Sequence, residues 1–374
     1  MDVPRLIRMA RETPVGIPND LFLRLRLPDE CNVFPNAQSF REALNGHRPM
    51  PNSPTLIVCE SGDRRVLEQM SLPFEDTHYD FYMDPAFNDV LCMRYEFLRS
   101  LATIPKQSQV PRIFVELVKR TQPRVAVIMV IDGLSYGEAR DFIPSTPCLV
   151  DGLSLTREGM LRIVGSPTLA ERLFSIGYRS RIGFSYWDRH NDLGNEIFRV
   201  FATDQSCVVK SLDDALMRLA EMKLEENTFV QIVRSGLDSY AHHHLDRPPV
   251  HELTAEICAD IRRTAQVLAS MADNYLLLVT SDHGILWEDT LATSSILPGG
   301  AGSPIRYYSA NESVPQSMRK ILVAVDEDGH KALPIRYLRR ALGSREWGCH
   351  GGISVHESFV PIMVLAPDRG KSSA

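Results

Sequence analysis

Residues 124–132 read RVAVIMVID, in which seven consecutive apolar residues, most of them β-branched, lead to an aspartate. Such a run is typical of a parallel strand buried on both faces, because polar alternation is needed only where one face meets water. Further strand patterns, CLVDGLSLT, SRIGFSY, NTFVQIVRS and NYLLLVTSDHG, alternate with amphipathic helical patterns. The sequence therefore predicts an α/β fold with a doubly wound, mostly parallel sheet and helices on both faces.

The length of the chain fits two domains or one large α/β domain with insertions, and the change of pattern near residue 121 favours two. Residues 1–120 are irregular and Pro-rich at first, contain one good buried strand, TLIVCES, and carry no chemical constellation. We expect an N-terminal α/β or mostly helical domain of unclear role, which is a candidate surface for protein partners. Residues 121–374 form the predicted catalytic domain. Within it, residues 285–345 interrupt the alternation of strand and helix patterns. This segment is predicted to be an inserted cap with a strand, KILVAVDEDG, and a basic helix, LPIRYLRRALGSR.

Composition excludes several classes of protein. The formal net charge of −6 argues against a protein that coats nucleic acid through bulk electrostatics. The seven cysteines are scattered and form no CxxC pair, which disfavours a zinc knuckle or a disulfide framework. No segment has the length and apolar character of a signal peptide or a membrane span. We therefore expect a soluble, cytoplasmic protein without a membrane partner.

Potential metal ligands follow four predicted strands. They are three carboxylates and three imidazoles: Asp132, Asp238, His242, Asp282, His283 and His350. Ligands collect at the carboxyl ends of strands in open α/β sheets, and Asp238 and His242 are one helical turn apart. Carboxylate oxygen and imidazole nitrogen suit zinc or manganese. The pattern predicts a metal site at this edge of the sheet.

Each residue also has a structural explanation. Asp132 is placed to cap a following helix, His242 begins a run of three histidines typical of a solvated loop, and His350 beside two glycines is compatible with a plain turn. The same ligand chemistry at four separate strand ends favours the metal site over these alternatives.

Four segments, in order MVIDGLSYGEA, GLDSYAHHH, VTSDHG and CHGGISVHESFVPIMVL, resemble the alkaline phosphatase superfamily, and the last is most similar to its PglZ branch. The resemblance covers about residues 124–366. It implies an alkaline phosphatase-like fold and two divalent metal ions, zinc or else manganese. Asp238, His242 and His350 are implied ligands of one ion. Asp132, Asp282 and His283 are implied ligands of the other, and a Ser or Thr nucleophile bridges both.

Four hydroxyls are candidates for that nucleophile: Ser135, Thr146, Ser154 and Thr156. Thr156 begins a predicted helix, whose free N–H groups and dipole favour an alkoxide and a phosphate oxygen. The resemblance also places the nucleophile at a helix start with a glycine about nine positions later, as Thr156 and Gly165 are. The spacing from Asp132 to Thr156 is shorter than in the wider superfamily, and a plain helix-capping threonine is the alternative.

The resemblance implies a two-metal-dependent phosphoester hydrolase, a phosphodiesterase or phosphatase, that acts on nucleotides or oligonucleotides through a phospho-threonine intermediate. It further suggests a setting in prokaryotic signalling or phage defence. Arg157 and Arg162 follow the nucleophile candidate and are candidate substrate-binding residues. Two alternatives stay open: a catalytically silent PglZ-like interaction module and a metal-dependent phosphomutase.

Overall fold

A computed structural model describes residues 3–18, 22, 31–45, 53–59, 63–75, 87–100, 104–164, 167–186, 205–222, 224, 226–291, 294–297 and 305–367. The chain divides into two compact units, Met1–Ile104 and Pro105–Ala374. Residues 105–120 thus belong to the second unit and not to the N-terminal domain that the sequence analysis drew to residue 120. The reason is a helix in this stretch whose Phe114 packs on Phe229 of the central sheet, with ring centroids 5.7 Å apart.

The first unit is α/β, with a parallel three-stranded sheet in the order β1-β3-β2. Its described elements are α1 (Val3–Glu12), β1 (Val15–Pro18), β2 (Asn32–Phe34), α2 (Ala37–Asn45), β3 (Thr55–Cys59), α3 (Asp63–Gln69) and α4 (Phe87–Ser100). Strand β3 is buried along its whole length and packs with Phe40 and Leu67 in a small core. The role of this unit in binding partners stays a prediction.

The second unit contains a seven-stranded sheet in the order β5-β17-β9-β4-β8-β6-β7. Its elements before the cap are α5 (Val110–Thr121), β4 (Val125–Ile131), α6 (Tyr136–Ala139), β5 (Thr146–Leu149), α7 (Thr156–Ile163), α8 (Pro167–Ser175), β6 (Ser180–Tyr186), β7 (Gln205–Val208), α9 (Leu212–Ala220), β8 (Thr228–Arg234), α10 (Asp238–His243), α11 (Val250–Met271) and β9 (Tyr275–Ser281). After the cap come β16 (Gly348–Cys349), α13 (Val355–Ser358) and β17 (Phe359–Leu365).

Helices cover both faces of this sheet, as the sequence predicted. Every residue of β4, β8 and β9 is buried. On one face Val127 and Ile232 pack with α9 and α11, and on the other Ile128 packs with α5, α7 and α8. The sheet is mixed and mostly parallel, because β17 runs antiparallel to both β5 and β9 while the remaining pairs are parallel. The predicted fold class is confirmed.

The cap consists of short elements: β10 (Leu286–Trp287), α12 (Glu288–Leu291), β11 (Ser295–Ile296), β12 (Tyr307–Tyr308), β13 (Val323–Ala324), β14 (Lys331–Ala332) and β15 (Tyr337–Leu338). The strand expected over KILVAVDEDG is reduced to the two residues of β13. The basic helix expected over LPIRYLRRALGSR is wrong, because this segment forms turns and β15. Leu338 enters a small apolar cluster, while Arg339 and Arg340 pair with Glu312 and Glu346.

None of the helices within the described ranges combines the length and the apolar character that crossing a lipid bilayer requires.

Candidate metal centre

Three neighbouring parallel strands bring the predicted carboxylates to one edge of the sheet. Asp132 directly follows β4 and Asp282 directly follows β9. Asp238 begins α10, four residues after β8, and its N–H lies 3.4 Å from the carbonyl oxygen of Asp132. Because β9, β4 and β8 are adjacent, the three side chains converge although up to 150 residues separate them in the chain.

Asp238, His242 and His350 form the first group of ligand atoms. The Nε2 atoms of His242 and His350 lie 3.3 and 3.2 Å from the same oxygen, Asp238 Oδ1. Helix α10 supplies the first two residues from successive turns, so His242 belongs to a helix and not to a solvated loop. Its side chain is 20% exposed.

Asp132, Asp282 and His283 form the second group, which is completely buried. His283 Nε2 lies 3.8 Å from Asp132 Oδ1 and 3.7 Å from Asp282 Oδ2. In each group one ligand atom per residue lies within 4.8 Å of the others. The two groups are adjacent, since the rings of His283 and His350 stack with centroids 4.0 Å apart. The structure therefore brings together all six residues that the sequence singled out.

The electrostatics of the carboxylates fit bound cations. Asp132 Oδ1 and Asp282 Oδ2 are buried and accept no hydrogen bond from the residues that the structure describes, and the atoms facing the buried Asp238 Oδ1 are imidazole nitrogens. Burial and the neighbouring carboxylates raise the pKa of Asp132 well above its usual value. Burial raises the pKa of Asp282 to about 7, with the charge of Asp238 adding to the effect. Three buried carboxylates in one cluster are costly without positive charge, and a divalent cation supplies it.

The imidazoles are oriented as ligands. Nδ1 of His283 lies 3.2 Å from the carbonyl oxygen of Gly284, and Nδ1 of His350 lies 2.9 Å from that of Ser154. Since a carbonyl oxygen only accepts, Nδ1 carries the proton in both rings and the Nε2 lone pair faces the carboxylates. Burial lowers the pKa of His283, and burial together with His283 lowers that of His350 to about 4. Both rings are thus neutral near pH 7, the form that binds metal.

The remaining pair behaves differently. Burial opposes ionisation of Asp238, but His350 and His242 outweigh it and hold the pKa of this carboxyl below its ordinary value. Burial alone would lower the pKa of His242, but the hydrogen bond with Asp238 and the charge of that carboxylate outweigh burial and raise this pKa. Of the three carboxylates, Asp238 is therefore the one that is ionised most readily, and two imidazole nitrogens lie 3.3 and 3.2 Å from its Oδ1.

Of the four candidate hydroxyls, that of Thr156 contacts the side chains of this centre. Its Oγ1 lies 3.1 Å from His283 Nε2, and it lowers the pKa of Asp132 by hydrogen bonding against the larger, opposite effect of burial. Helix α7 begins at Thr156 with Leu155 as its N-cap and without a side-chain capping bond, so Thr156 is not a capping threonine.

The other hydroxyl candidates have different partners. Ser135 caps α6 and accepts a hydrogen bond from the Glu138 N–H. Because Ser135 is the N-cap, the Asp132 carboxylate does not cap this helix. Thr146 is exposed at the start of β5. Ser154 is buried, donates to the Gly352 carbonyl and accepts from the Gly351 N–H.

Behind the ligands lies a polar contact that the sequence analysis missed. The side-chain amide of Gln107 donates to the carbonyl oxygens of Ser281 and Asp282, at 2.9 and 2.7 Å. Arg162 Nε donates to Gln107 Oε1 at 2.7 Å, and its Nη2 donates to the Leu153 carbonyl. The guanidinium of Arg162 thus supports the end of β9. Arg157 is exposed on α7.

The contact by Gln107 carried no usable signal in the sequence, because this residue lies in the stretch assigned to the N-terminal domain. The glycines likewise gave no sign in the sequence of where backbone segments approach each other closely. At Gly159 a side chain would lie 2.3 Å from the Asp282 carbonyl oxygen, so α7 approaches the ligand-bearing end of β9 at backbone distance. This approach brings Thr156 to His283.

No protein-family model matches the sequence, and no curated protein matches it. Among solved structures, human ectonucleotide pyrophosphatase/phosphodiesterase 5 is similar at 12% identity over 64% of this chain and 87% of its own, with a TM-score of 0.41. Phosphonoacetate hydrolase from Sinorhizobium meliloti 1021, in complex with phosphonoformate, is similar at 12% identity over 67% and 92%, with a TM-score of 0.41. The C-terminal periplasmic domain of EptC from Escherichia coli, in complex with Zn, is similar at 12% identity over 44% and 64%, with a TM-score of 0.31. At such values the chemistry has to be inferred from the site itself.

Proposed function

We propose that the protein is a two-metal-dependent phosphoester hydrolase in which Thr156 is the nucleophile. One observation carries the proposal. The Thr156 hydroxyl lies 3.1 Å from the Nε2 atom of a buried histidine, and that histidine stands at the junction of two three-residue ligand groups. A hydroxyl, unsatisfied carboxylate oxygens and neutral imidazoles in one place are the components of metal-assisted displacement at phosphorus.

The residues present fit two divalent cations. Asp238, His242 and His350 would hold one, and Asp132, Asp282 and His283 the other. Zinc suits this nitrogen and oxygen donor set, and manganese is the second choice. When bound, the two cations would favour the alkoxide form of a nearby hydroxyl and offset the charge of a phosphoryl group.

The chain itself supplies the nucleophile and its placement. Thr156 Oγ1 forms a bond to phosphorus while the bond from phosphorus to the departing ester oxygen breaks. The hydroxyl proton passes to solvent, and the departing oxygen takes one up. Water then cleaves the phospho-threonine and restores the hydroxyl. Because Thr156 is the first residue of α7, the N–H groups of that first turn have no acceptor within the helix, and the helix dipole favours negative charge near the nucleophile.

A nucleotide or oligonucleotide ester is the substrate that we propose within this class. The resemblance of the sequence motifs to PglZ proteins suggests it, together with a setting in prokaryotic signalling or phage defence. Arg157 and Arg162 are the proposed substrate-binding residues, and their contacts in the structure differ. Arg157 is exposed, whereas Arg162 already donates to Gln107 and Leu153.

The experiment compares Thr156→Ala with Thr146→Ala, an identical change at an exposed threonine away from the centre. Each protein, loaded with zinc or manganese, is assayed on a chromogenic phosphodiester and monoester. We expect Thr156→Ala to lose about 10³-fold or more in turnover. Calorimetry on metal-free protein should show both variants still binding two ions.

Three results would decide against the proposal or parts of it. Full turnover by Thr156→Ala would remove this residue as the nucleophile. Two bound ions without hydrolysis of either ester by the wild type would favour the catalytically silent interaction module. A wild-type protein that binds no divalent ion would refute the metal centre altogether.

A further inference from the structure

Arg306 in the cap is a fully buried charge. Its side chain and that of Glu357 are both 0% exposed, and the two form a bidentate ion pair with Nε–Oε1 and Nη2–Oε2 distances of 3.1 and 2.8 Å. The third nitrogen, Nη1, donates to the carbonyl oxygens of Pro334 and Tyr337. Arg306 therefore ties two segments of the cap to the residue that precedes β17 by two positions.

Glu357 extends this connection to the segment that carries His350. Its Oε1 also accepts the N–H of Gly352 at 2.9 Å, and its Oε2 accepts the hydroxyl of Ser354 at 2.7 Å. From the opposite side, Ser154 accepts the Gly351 N–H and its carbonyl oxygen accepts Nδ1 of His350. The segment 350–354 is held between these two sets of contacts.

Two cap side chains pack closely on the backbone of the two glycines that follow His350. A side chain at Gly352 would lie 2.4 Å from Nη2 and 2.5 Å from Nε of Arg306, so the guanidinium lies directly on this backbone. Gly351 has φ +102°, and a side chain there would lie 2.8 Å from Cδ1 of Tyr307. Consecutive cap residues thus pack on consecutive glycines.

His350 needs such external support more than the other ligands. Asp132, Asp282 and His283 directly follow strands of the central sheet, and Asp238 and His242 belong to α10. His350 follows only the two-residue strand β16, which is not part of that sheet, and lies in irregular backbone. Its position is set by side-chain contacts, and outer contacts of this kind tune metal affinity.

We propose that Arg306, acting through Glu357, is a positioning residue that sets the affinity of the ion position formed by Asp238, His242 and His350. The inference rests on the proposed function, since it assumes that this group binds an ion. A buried ion pair is weak as a source of stability, because desolvation offsets the attraction. This ion pair is also hydrogen-bonded, through Glu357, to the segment that carries His350, so its role is to align that one ligand.

The test is calorimetric titration of metal-free protein with zinc, with no activity measurement needed. His350→Ala identifies which of the two binding events belongs to the proposed position. In Arg306→Met that same event should weaken by about 10- to 100-fold, as loss of an outer contact does, while the other event keeps its affinity. Arg306→Lys, which keeps the charge but lacks the planar fork, should show the same selective shift with a smaller loss of folding stability.

Two further variants separate positioning from stability. Arg339→Met removes a second, less buried ion pair of the cap, with Glu312, and none of its described hydrogen bonds reaches residues 350–357, so both ion affinities should stay as in the wild type. In Arg306→Met/Glu357→Gln no carboxylate is left unpaired, so stability should recover while the weakened event stays weak.

Unchanged affinities in both Arg306 variants, with two ions bound by the wild type, would overturn the positioning role alone. A shift that appears equally in Arg339→Met would also overturn it, because ion affinity would then follow general stability. A wild type that binds no ion would instead overturn the proposed function.

Discussion

Replacing Asp282 by asparagine exchanges one oxygen for an amide nitrogen at a fully buried position. Asp282 Oδ1 accepts the N–H groups of Gly133 and His283 at 3.0 and 2.9 Å, and an asparagine oxygen retains both bonds. Asp282 Oδ2 and Asp132 Oδ1 are both without a hydrogen bond within the described structure and lie 3.7 and 3.8 Å from the same atom, His283 Nε2. An amide N–H₂ in place of Oδ2 would remove a buried charge and provide a donor to Asp132.

The expected gain in stability follows from the pKa of Asp282, which burial raises from 3.8 to about 7. A carboxyl whose folded-state pKa is raised contributes stability that is fully present below its unfolded pKa and is lost as the pH rises through the folded value. For this group alone, the free energy of unfolding of the metal-free wild type should fall by about 3 kcal/mol between pH 5 and pH 8. Metal-free Asp282→Asn lacks this loss and should be more stable by on the order of 4 kcal/mol at pH 8.

Urea denaturation of chelator-treated protein at both pH values measures these differences. Zinc at about 1,000 times its dissociation constant should then return about 4 kcal/mol to the wild type, since the ion binds only the folded state, and should return far less to the variant. Asp213→Asn, at an exposed ion pair with Arg263, is the control and should change stability by less than about 0.5 kcal/mol. If metal-free Asp282→Asn were no more stable than the wild type at pH 8, the account of an uncompensated carboxylate cluster would be refuted.

Three further substitutions test how the centre is built. Gly133→Ala should weaken zinc binding in calorimetry, because φ is +74° and the added carbon would lie 2.8 Å from the backbone nitrogen of Asp238; unchanged affinity would contradict this. Gly352→Ala should lower the free energy of unfolding by about 1–3 kcal/mol, since the methyl group would overlap the Arg306 guanidinium, and a neutral result in urea denaturation would show that the cap moves freely. Gln107→Leu should cost about 1–3 kcal/mol by leaving two buried carbonyl oxygens at the end of β9 without a donor, and equal stability would show that water replaces the amide.

Local patterns were sufficient to predict the central sheet and the candidate ligands at its edge. Continuous apolar runs followed by Asp132 and by Asp282–His283 located one edge of the sheet directly. The two groups of three residues that the family resemblance implied are the groups that lie together in the structure, while their role as metal ligands stays a prediction. The role of Thr156 as nucleophile stays a prediction, although its place at the start of α7 was expected and is observed.

The parts that could not be predicted depend on long-range contacts. Gln107 reaches Asp282 across 175 positions, and Arg306 reaches Glu357 across 51, with no periodicity to signal either contact. The basic segment after Pro334 has helical composition but forms turns, and two of its arginines, Arg339 and Arg340, pair with Glu312 and Glu346 outside it. Local preference is overridden there by tertiary ion pairs.

The position of β17 in the sheet has a consequence for protein synthesis. This strand, the last in the described chain, lies between β5 and β9 and not at an edge. Until residues 359–365 have left the ribosome, the nascent chain presents an unpaired edge of β9 at Leu277–Val279, the apolar residues that β17 pairs with. Open edges of this kind recruit other strands. A translation product interrupted shortly before β17 should therefore aggregate rather than persist as a folded protein.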